Sequence, residues 1–261
     1  MSTTPQQLTE LLSEAAHTSW RAFRHAMGTM TPEQRRTTIG AGADGTETFL
    51  LDERVEAPVL ELLGRRGVNV LSEEAGWIDR GSSVTVVIDP IDGTANAAAG
   101  VPISAFAGAV LVDDVVVASR VLWFDTGREW SASRGSPSPR QVSGRQELAG
   151  ASVSMLRPRP STTAAWCRIT EKADRIRVLG SSVVEACLVA DGAIDLFCDP
   201  GGDVHRIVDI AATQLITEHA GGCVVDARGR PFSFEPDLRL RWSGIFAASQ
   251  ALAEQAVDAI G

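Results

Sequence analysis

The sequence predicts a layered α/β fold built in two halves, and three observations carry that expectation. Between residues 68 and 132 short apolar runs follow one another through tight turns, as in an antiparallel sheet. Beyond residue 150, strand-like and helix-like runs alternate, which suggests a layered α/β arrangement. Residues 135–150, rich in Ser, Pro, Arg and Gly, read as a connecting loop between a first half, 1–134, and a second, 151–261.

The chain opens on an expected helix at 5–27, with Leu8, Leu11, Leu12, Ala15, Ala16 and Trp20 on a common face. A polar, glycine-rich loop is expected over 28–48, then a helix at 50–65. Strands follow near 68–71, 84–89, 104–112, 115–124 and 128–132, and Asp113-Asp114 between two apolar runs marks a hairpin turn. In the second half, strands near 151–155, 175–179, 194–198 and 222–226 alternate with helices near 161–172, 181–190 and 204–220. A strand at 243–248 and a helix at 249–260 complete the chain, and no internal repeat is visible.

With 261 residues the chain can bury a full core, and its 44% hydrophobic content is ordinary for a globular protein. No apolar run approaches the roughly 20 residues that span a bilayer, so no membrane partner is expected. A formal charge of −9 argues against a nucleic-acid surface, although a bound cation would still admit a small anionic substrate. The four cysteines, Cys167, Cys187, Cys198 and Cys223, show neither CxxC spacing nor histidine company. That pattern argues against zinc and fits reduced thiols in a cytoplasm.

Chemistry is concentrated in acidic residues at the ends of apolar elements. Val84-Thr85-Val86-Val87-Ile88 reads as a buried strand that delivers Asp89-Pro90-Ile91-Asp92-Gly93-Thr94 into a tight turn. Two carboxylates held so close repel each other unless a cation compensates, and a hard ion such as Mg²⁺ prefers oxygen ligands. The alternative is a plain surface turn, because Asp, Pro and Gly are ordinary turn residues. Ser72-Glu73-Glu74 follows another short strand, and Asp209 lies within an apolar stripe at helical spacing. A carboxylate there is costly unless paired, for instance with Arg206, or metal-bound. Three such acidic features favour a shared metal centre.

In this order the motifs resemble those of the inositol monophosphatase superfamily of Mg²⁺-dependent, lithium-sensitive phosphatases. Ser72-Glu73-Glu74 is similar to its Gly-Glu-Glu element, and Asp89 to Thr94, continued by Asn96, fits its Asp-Pro-Ile/Leu-Asp-Gly-Thr-x-Asn signature. Val208-Asp209-Ile210-Ala211-Ala212 with Ala220-Gly221-Gly222 fits Trp-Asp-x-Ala-Ala…Glu-Ala-Gly-Gly, with Val208 and His219 departing from it. Gly180-Ser181-Ser182 matches a segment that touches substrate hydroxyls in relatives. Residues 42–48 with Leu51-Asp52 and Val55-Glu56 resemble the mobile loop of the archaeal-type branch, whose members often hydrolyse inositol monophosphate and fructose 1,6-bisphosphate. Residues 201–205 depart from that branch where relatives read the organic part of the substrate.

The resemblance implies alternating α-β-α-β-α layers, an antiparallel N-terminal sheet, a mixed C-terminal sheet and a homodimer. It implies two Mg²⁺ ions, or three, held by Glu73, Asp89, the Ile91 carbonyl, Asp92 and Asp209, with Asp89 bridging. The expected reaction is hydrolysis of a small phosphorylated metabolite (inositol phosphate, sugar phosphate or nucleotide-type phosphate) by water activated at the metals. Glu73 with Thr94 is the expected water-activating pair, and Asp44 is its rival; Thr94 as a helix cap and Asp44 as a turn residue are the simpler readings. Backbone N–H groups of Gly93 and Thr94 are expected on the phosphate if a helix starts there, with Ser181, Ser182 and Arg206 contacting substrate. His205 reads as an incidental histidine at a helix start. Two alternatives stand beside this one: a dedicated biosynthetic phosphatase for one specialised metabolite, and a regulatory protein that keeps the fold but works by binding a partner.

Overall fold

The protein's computed structural model describes residues 4–232 and 234–261. Helix α1 (Pro5–Thr29) starts on a capping box: the Gln7 N–H donates to Thr4 Oγ1 at 3.3 Å, and the Thr4 N–H donates back to the Gln7 side chain at 2.8 Å. Its apolar face, Leu8 to Ala26, is buried as the spacing predicts, although Trp20 is only half-buried and instead donates its ring N–H to the Phe124 carbonyl at 3.0 Å.

The stretch expected as a loop contains a short helix, α2 (Pro32–Arg35), and a small antiparallel hairpin, β1 (Thr38–Ala41) and β2 (Glu47–Phe49). These strands are only four and three residues long, and the first is exposed throughout, so they carry no apolar alternation to read. Helix α3 (Leu50–Arg66) buries Leu51, Val55, Val59 and Leu63 and ends at Gly67 in the left-handed conformation.

Six strands form the larger sheet: β3 (Asn69–Ser72), β4 (Gly76–Ile78), β5 (Val84–Asp92), β6 (Ala105–Val112), β7 (Val115–Trp123) and β8 (Glu129–Ser133). Their order is β4-β3-β5-β6-β7-β8. All neighbours are antiparallel except β3 and β5, which corrects the fully antiparallel expectation for this sheet. The sequence reading also missed β4, a three-residue strand. The short helix α4 (Thr94–Ala99) follows β5 directly.

The second half comprises β9 (Ser152–Met155), α5 (Thr163–Thr170), β10 (Arg175–Arg177), α6 (Ser182–Ala190), β11 (Leu196–Cys198), α7 (Ile207–His219), β12 (Cys223–Asp226), β13 (Gly244–Ala247) and α8 (Gln250–Ile260). Its sheet runs β10-β9-β11-β13-β12, parallel through β10, β9 and β11 and antiparallel from β11 to β12, so it is mixed as expected. Helices α1 and α3 cover one face of the larger sheet, and α6 and α7 fill the space between the two sheets. Helices α5 and α8 pack together, with α8 on β12 and β13, which completes the α-β-α-β-α layering. One apolar cluster runs from Leu71 and Val87 of the first sheet through α6 and α7 to Phe197 and Phe246 of the second.

The end of β5 is the part of this architecture that matters most. Every residue from Val84 to Asp92 is buried. Asp89 pairs with Ala107 and Asp92 with Ala105, so three steps on β5 meet two on β6. Residues three apart on a regular strand face opposite sides; one extra residue removes that opposition. Pro90 has no N–H to lose from the ladder, and its carbonyl is held by the Ser19 hydroxyl of α1 at 2.5 Å. The bulge thus sends both carboxylates the same way.

Candidate metal centre

Carboxylate oxygens of Asp89, Asp92 and Asp209 lie within 4.8 Å of one another, and all three residues are buried. Asp89 and Asp92 come from the β5 bulge, and Asp209 comes from the first turn of α7. The turn after Asp92 depends on Gly93, whose φ is +82°. A Cβ there would also sit 2.7 Å from the Ile103 carbonyl oxygen, so only glycine fits.

Each carboxylate is held differently. Asp89 Oδ1 accepts the Ile91 N–H at 2.9 Å, while Asp89 Oδ2 is buried with no protein partner. Asp92 Oδ2 accepts the Ser181 hydroxyl and, at 3.1 Å, the Val183 N–H at the start of α6. Asp209 Oδ2 accepts the Arg206 N–H at 2.7 Å, and both its oxygens face the Arg206 guanidinium.

Burial, followed by the charges of Glu73 and Asp92, drives the Asp89 pKa well above the carboxylate range. Burial and Asp209 push Asp92 up to about 7. Burial would raise Asp209 too, but Arg206 overrides it and holds that carboxyl low. An orphaned carboxylate oxygen inside an all-oxygen donor set, with negative charge in excess, suits a hard cation. The residues present therefore fit a bound metal ion.

Glu73 stands beside this trio, and its carboxylate is bound by the Arg206 guanidinium. The same guanidinium reaches Asp44 Oδ2 at 2.9 Å and Asp209 Oδ1 at 3.2 Å. Burial opposes charge on Arg206, but Asp209 and Glu73 outweigh it and hold the guanidinium pKa well above its usual value. Arg206, expected on the substrate, is thus committed to three carboxylates. Asp44 is also bound by the Thr46 N–H and hydroxyl, each at 2.7 Å, and by Arg241 at 3.3 Å. Those contacts outweigh burial and lower its pKa. They pin the β1–β2 hairpin over the acidic cluster.

Thr94, expected to act with Glu73, makes its own hydrogen-bond contacts to other groups. Thr94 Oγ1 lies 2.6 Å from Asp52 Oδ1 and 2.8 Å from the Ile91 carbonyl oxygen. The other Asp52 oxygen accepts the Phe49 N–H at 2.8 Å. Burial, against these hydrogen bonds and with Glu73 and Glu56 adding repulsion, raises Asp52 to about 7. Thr94 is the first residue of α4, and the cap position belongs to Gly93, so the simple capping reading does not apply to Thr94.

Around this core stand residues to which the sequence reading gave no role. Glu74, bound by the Thr48 hydroxyl, is raised to about 8 by burial and by Glu73. Glu56 accepts the Ser72 hydroxyl and, at 3.1 Å, the Ala75 N–H. A signal for Asp52 and Glu56 was present: they are four residues apart and flank the buried stripe Leu51, Val55, Val59, the same pattern that exposed Asp209.

Ser181 caps α6 and donates to Asp92, so its hydroxyl proton is occupied, whereas Ser182 lines a cavity shared with Asp92. His205 is a core residue: buried, edge-on to Phe197 at 5.6 Å and Phe246 at 6.3 Å, with Nδ1 accepting the Gly244 N–H at 3.1 Å.

Comparison with known proteins agrees with this geometry. The model of the inositol monophosphatase family matches residues 5–260. A fructose-1,6-bisphosphatase/inositol-1-monophosphatase of Thermococcus kodakarensis is 32% identical over 229 residues, 85% of this chain and 86% of that protein. A histidinol-phosphatase of Mycobacterium tuberculosis is 33% identical over 207 residues, 73% of this chain and 78% of that protein. The crystal structure of an inositol monophosphatase–fructose 1,6-bisphosphatase superposes with a TM-score of 0.85 at 27% identity, covering 96% of this chain and 98% of that one.

Proposed function

The chain belongs to the inositol monophosphatase family and is a phosphoric monoester hydrolase of a small phosphorylated metabolite, and from that premise we propose how its own residues perform the reaction. The observation that carries the proposal is the buried, unpartnered Asp89 Oδ2 facing Asp92 and Asp209. Glu73, Asp89, the Ile91 carbonyl, Asp92 and Asp209 would hold Mg²⁺, two ions or three. Bound there, the ions would neutralise phosphate charge and make water more acidic.

The remaining work falls to the protein. We assign the phosphate to the backbone N–H groups of Gly93 and Thr94, adjacent in the chain to Asp92. Asp52 is the proposed general base. Raised to about 7, it is matched to proton transfer near neutral pH. The Thr94 hydroxyl, which donates to Asp52, would accept from the attacking water through an oxygen lone pair, orient it and relay its proton to Asp52. This assignment moves the base from Glu73 to Asp52. Asp44, saturated by four donors, is assigned to holding the hairpin closed, with Arg206 and Arg241 as its partners.

In this reading residues 1–134 carry most of the metal ligands, 135–150 connect, and 151–261 bring Asp209 and the substrate-facing segments. We also infer a homodimer, as the family resemblance implies, and a cytoplasmic setting. Two buried free thiols, Cys187 and Cys198, support the latter. No helix among the described residues is long and apolar enough to cross a membrane.

The test is phosphate release with Mg²⁺ across inositol 1-phosphate, fructose 1,6-bisphosphate, histidinol phosphate and adenosine 3′,5′-bisphosphate, with Asp89→Asn as the blank. Selective release that the variant lacks is the expected result. Release that is equally fast in excess chelator would overturn the metal-centred reading.

A further inference from the structure

A cavity of about 610 Å³ lies in the groove between α1 and α3, turned away from the metal centre. Leu50, Arg54 and Pro58 form its α3 wall, and residues four apart on a helix share one face. Asp52, which meets Thr94, is two residues from both Leu50 and Arg54, about 200° round the same helix. The opposite wall is one stripe of α1, from Thr18 through Arg21, Ala22, His25 and Ala26 to Thr29. Met30 and, from α2, Gln34 complete it.

Every ionisable side chain of this lining is basic: Arg21, His25 and Arg54. No aspartate or glutamate shares the cavity with them. Among the described residues neither arginine makes an ion pair. Arg21 donates only to the Thr18 hydroxyl, at 3.0 Å, and the Arg54 guanidinium and the His25 ring make no hydrogen bond. Arg24, by contrast, also on α1 but outside the lining, lies over the Trp20 ring at 5.5 Å. Two guanidiniums thus face one hollow with no protein anion in its lining, in a chain whose formal charge is −9.

These three side chains reach solvent at the rim, whereas the floor beneath them is apolar. Ala22, Ala26, Met30 and Leu50 are each buried or half-buried, and the two alanines leave depth that larger side chains would fill. A concave apolar floor under a few polar groups is the usual build of a small-molecule site, and the volume lies within the ordinary range for one. Guanidinium forks match the paired oxygens of phosphate, and a second phosphate answers the second fork on the facing helix.

We propose that this groove binds a small organic anion carrying two or more phosphates. Arg21 and Arg54 take the phosphates from opposite walls, His25 adds a ring nitrogen, and the organic part rests on Ala22, Ala26, Met30 and Leu50. The site is separate from the catalytic one and does not depend on the phosphatase reading.

The experiment is a calorimetric titration of the whole chain in Mg²⁺ with four probes. These are the hydrolysis-resistant β,γ-imido analogue of ATP, inorganic tripolyphosphate, citrate and adenosine. The analogue is expected to bind about tenfold or more tighter than each of the other three. Arg21→Ala/Arg54→Ala should weaken it about 10- to 100-fold with the melting temperature unchanged, since neither arginine is in an ion pair. Ala22→Leu, which fills the floor, should weaken the analogue more than tripolyphosphate. Asp89→Asn should bind the analogue as wild type does, because the metal centre is not the site. Arg239→Ala controls for loss of general positive charge. Failure of the analogue to bind, an unchanged affinity in the double arginine variant, or loss of binding in Asp89→Asn overturns the proposal. Citrate or adenosine binding as tightly as the analogue overturns the choice of phosphate, and tripolyphosphate doing so overturns the organic part.

Discussion

The Thr94 hydroxyl donates to the Asp52 carboxylate over 2.6 Å, joining the first residue of α4 to the first turn of α3. No other threonine of the metal-binding turn is available for this contact, because the turn runs Asp89-Pro90-Ile91-Asp92-Gly93-Thr94. If Asp52 accepts the proton of the attacking water, Asp52→Asn should lower kcat by about 10²- to 10⁴-fold and change KM little. Asp52 is outside the acidic trio, so the variant should keep its thermal stabilisation by Mg²⁺. Steady-state kinetics paired with thermal melts separates the two effects; a kcat within a few-fold of wild type would return the base role to Glu73.

Arg206 holds Asp44, Glu73 and Asp209 at once. Removing a largely but not fully buried cation from such a network leaves like charges uncompensated, a loss of up to about 3–5 kcal/mol. Arg206→Gln should therefore melt well below wild type in chelator. Metal addition should recover much of that deficit, because the variant offers the same carboxylates with less competing positive charge. The check is the Mg²⁺-induced rise in Tm, expected to exceed that of wild type; an equal rise would show that Arg206 and the ion do not share those carboxylates.

Much of this site was legible because burial and charge collide in the sequence. Asp89, Asp92 and Asp209 each lie in or against an apolar run, and an ionised side chain there demands a partner. The hairpin at Thr38–Ala41 and Glu47–Phe49 left no such trace, since strands of three or four residues are too short to show an apolar period. The bulge that turns Asp89 and Asp92 the same way is a matter of register against Ala105 and Ala107, which local sequence does not specify. Arg206 on Asp44 and Glu73, and Thr94 on Asp52, join residues far apart in the chain. The residue types hinted at function, but their pairing is tertiary.

Stability of the metal-free protein should depend on pH in a direction fixed by the buried acids. Asp52 and Asp92 are raised from an ordinary 3.8 to about 7 in the folded chain, so folding favours their protonated forms. Their contribution is full below pH 3.8, declines as pH rises towards 7, and is flat above, a loss on the order of a few kcal/mol. Asp44 and Asp209 are lowered and act oppositely, but only as pH falls below their ordinary value. In chelator, Tm should therefore fall between pH 5 and about 7.5, and the Mg²⁺-induced gain should grow over the same interval. A metal-free Tm that climbs with pH would contradict the burial of these groups.

Asp89→Asn separates stability from function most sharply. The wild-type side chain is fully buried, one of its oxygens has no partner, and Glu73 and Asp92 repel its charge. An amide of nearly the same shape keeps the oxygen that accepts the Ile91 N–H and removes the charge. It also offers donors to the surrounding carboxylates. Without metal, the variant should melt at or above the wild-type temperature, the behaviour of a site whose function is maintained at the expense of stability. With Mg²⁺ it should gain little, and phosphate release should drop by about 10³-fold or more, because a shared ligand of the ions has been lost. Melts in chelator and in Mg²⁺, read beside turnover, decide the matter. A variant destabilised in chelator but still stabilised by Mg²⁺ would mean that Asp89 is a structural carboxylate and that the ions are held without it.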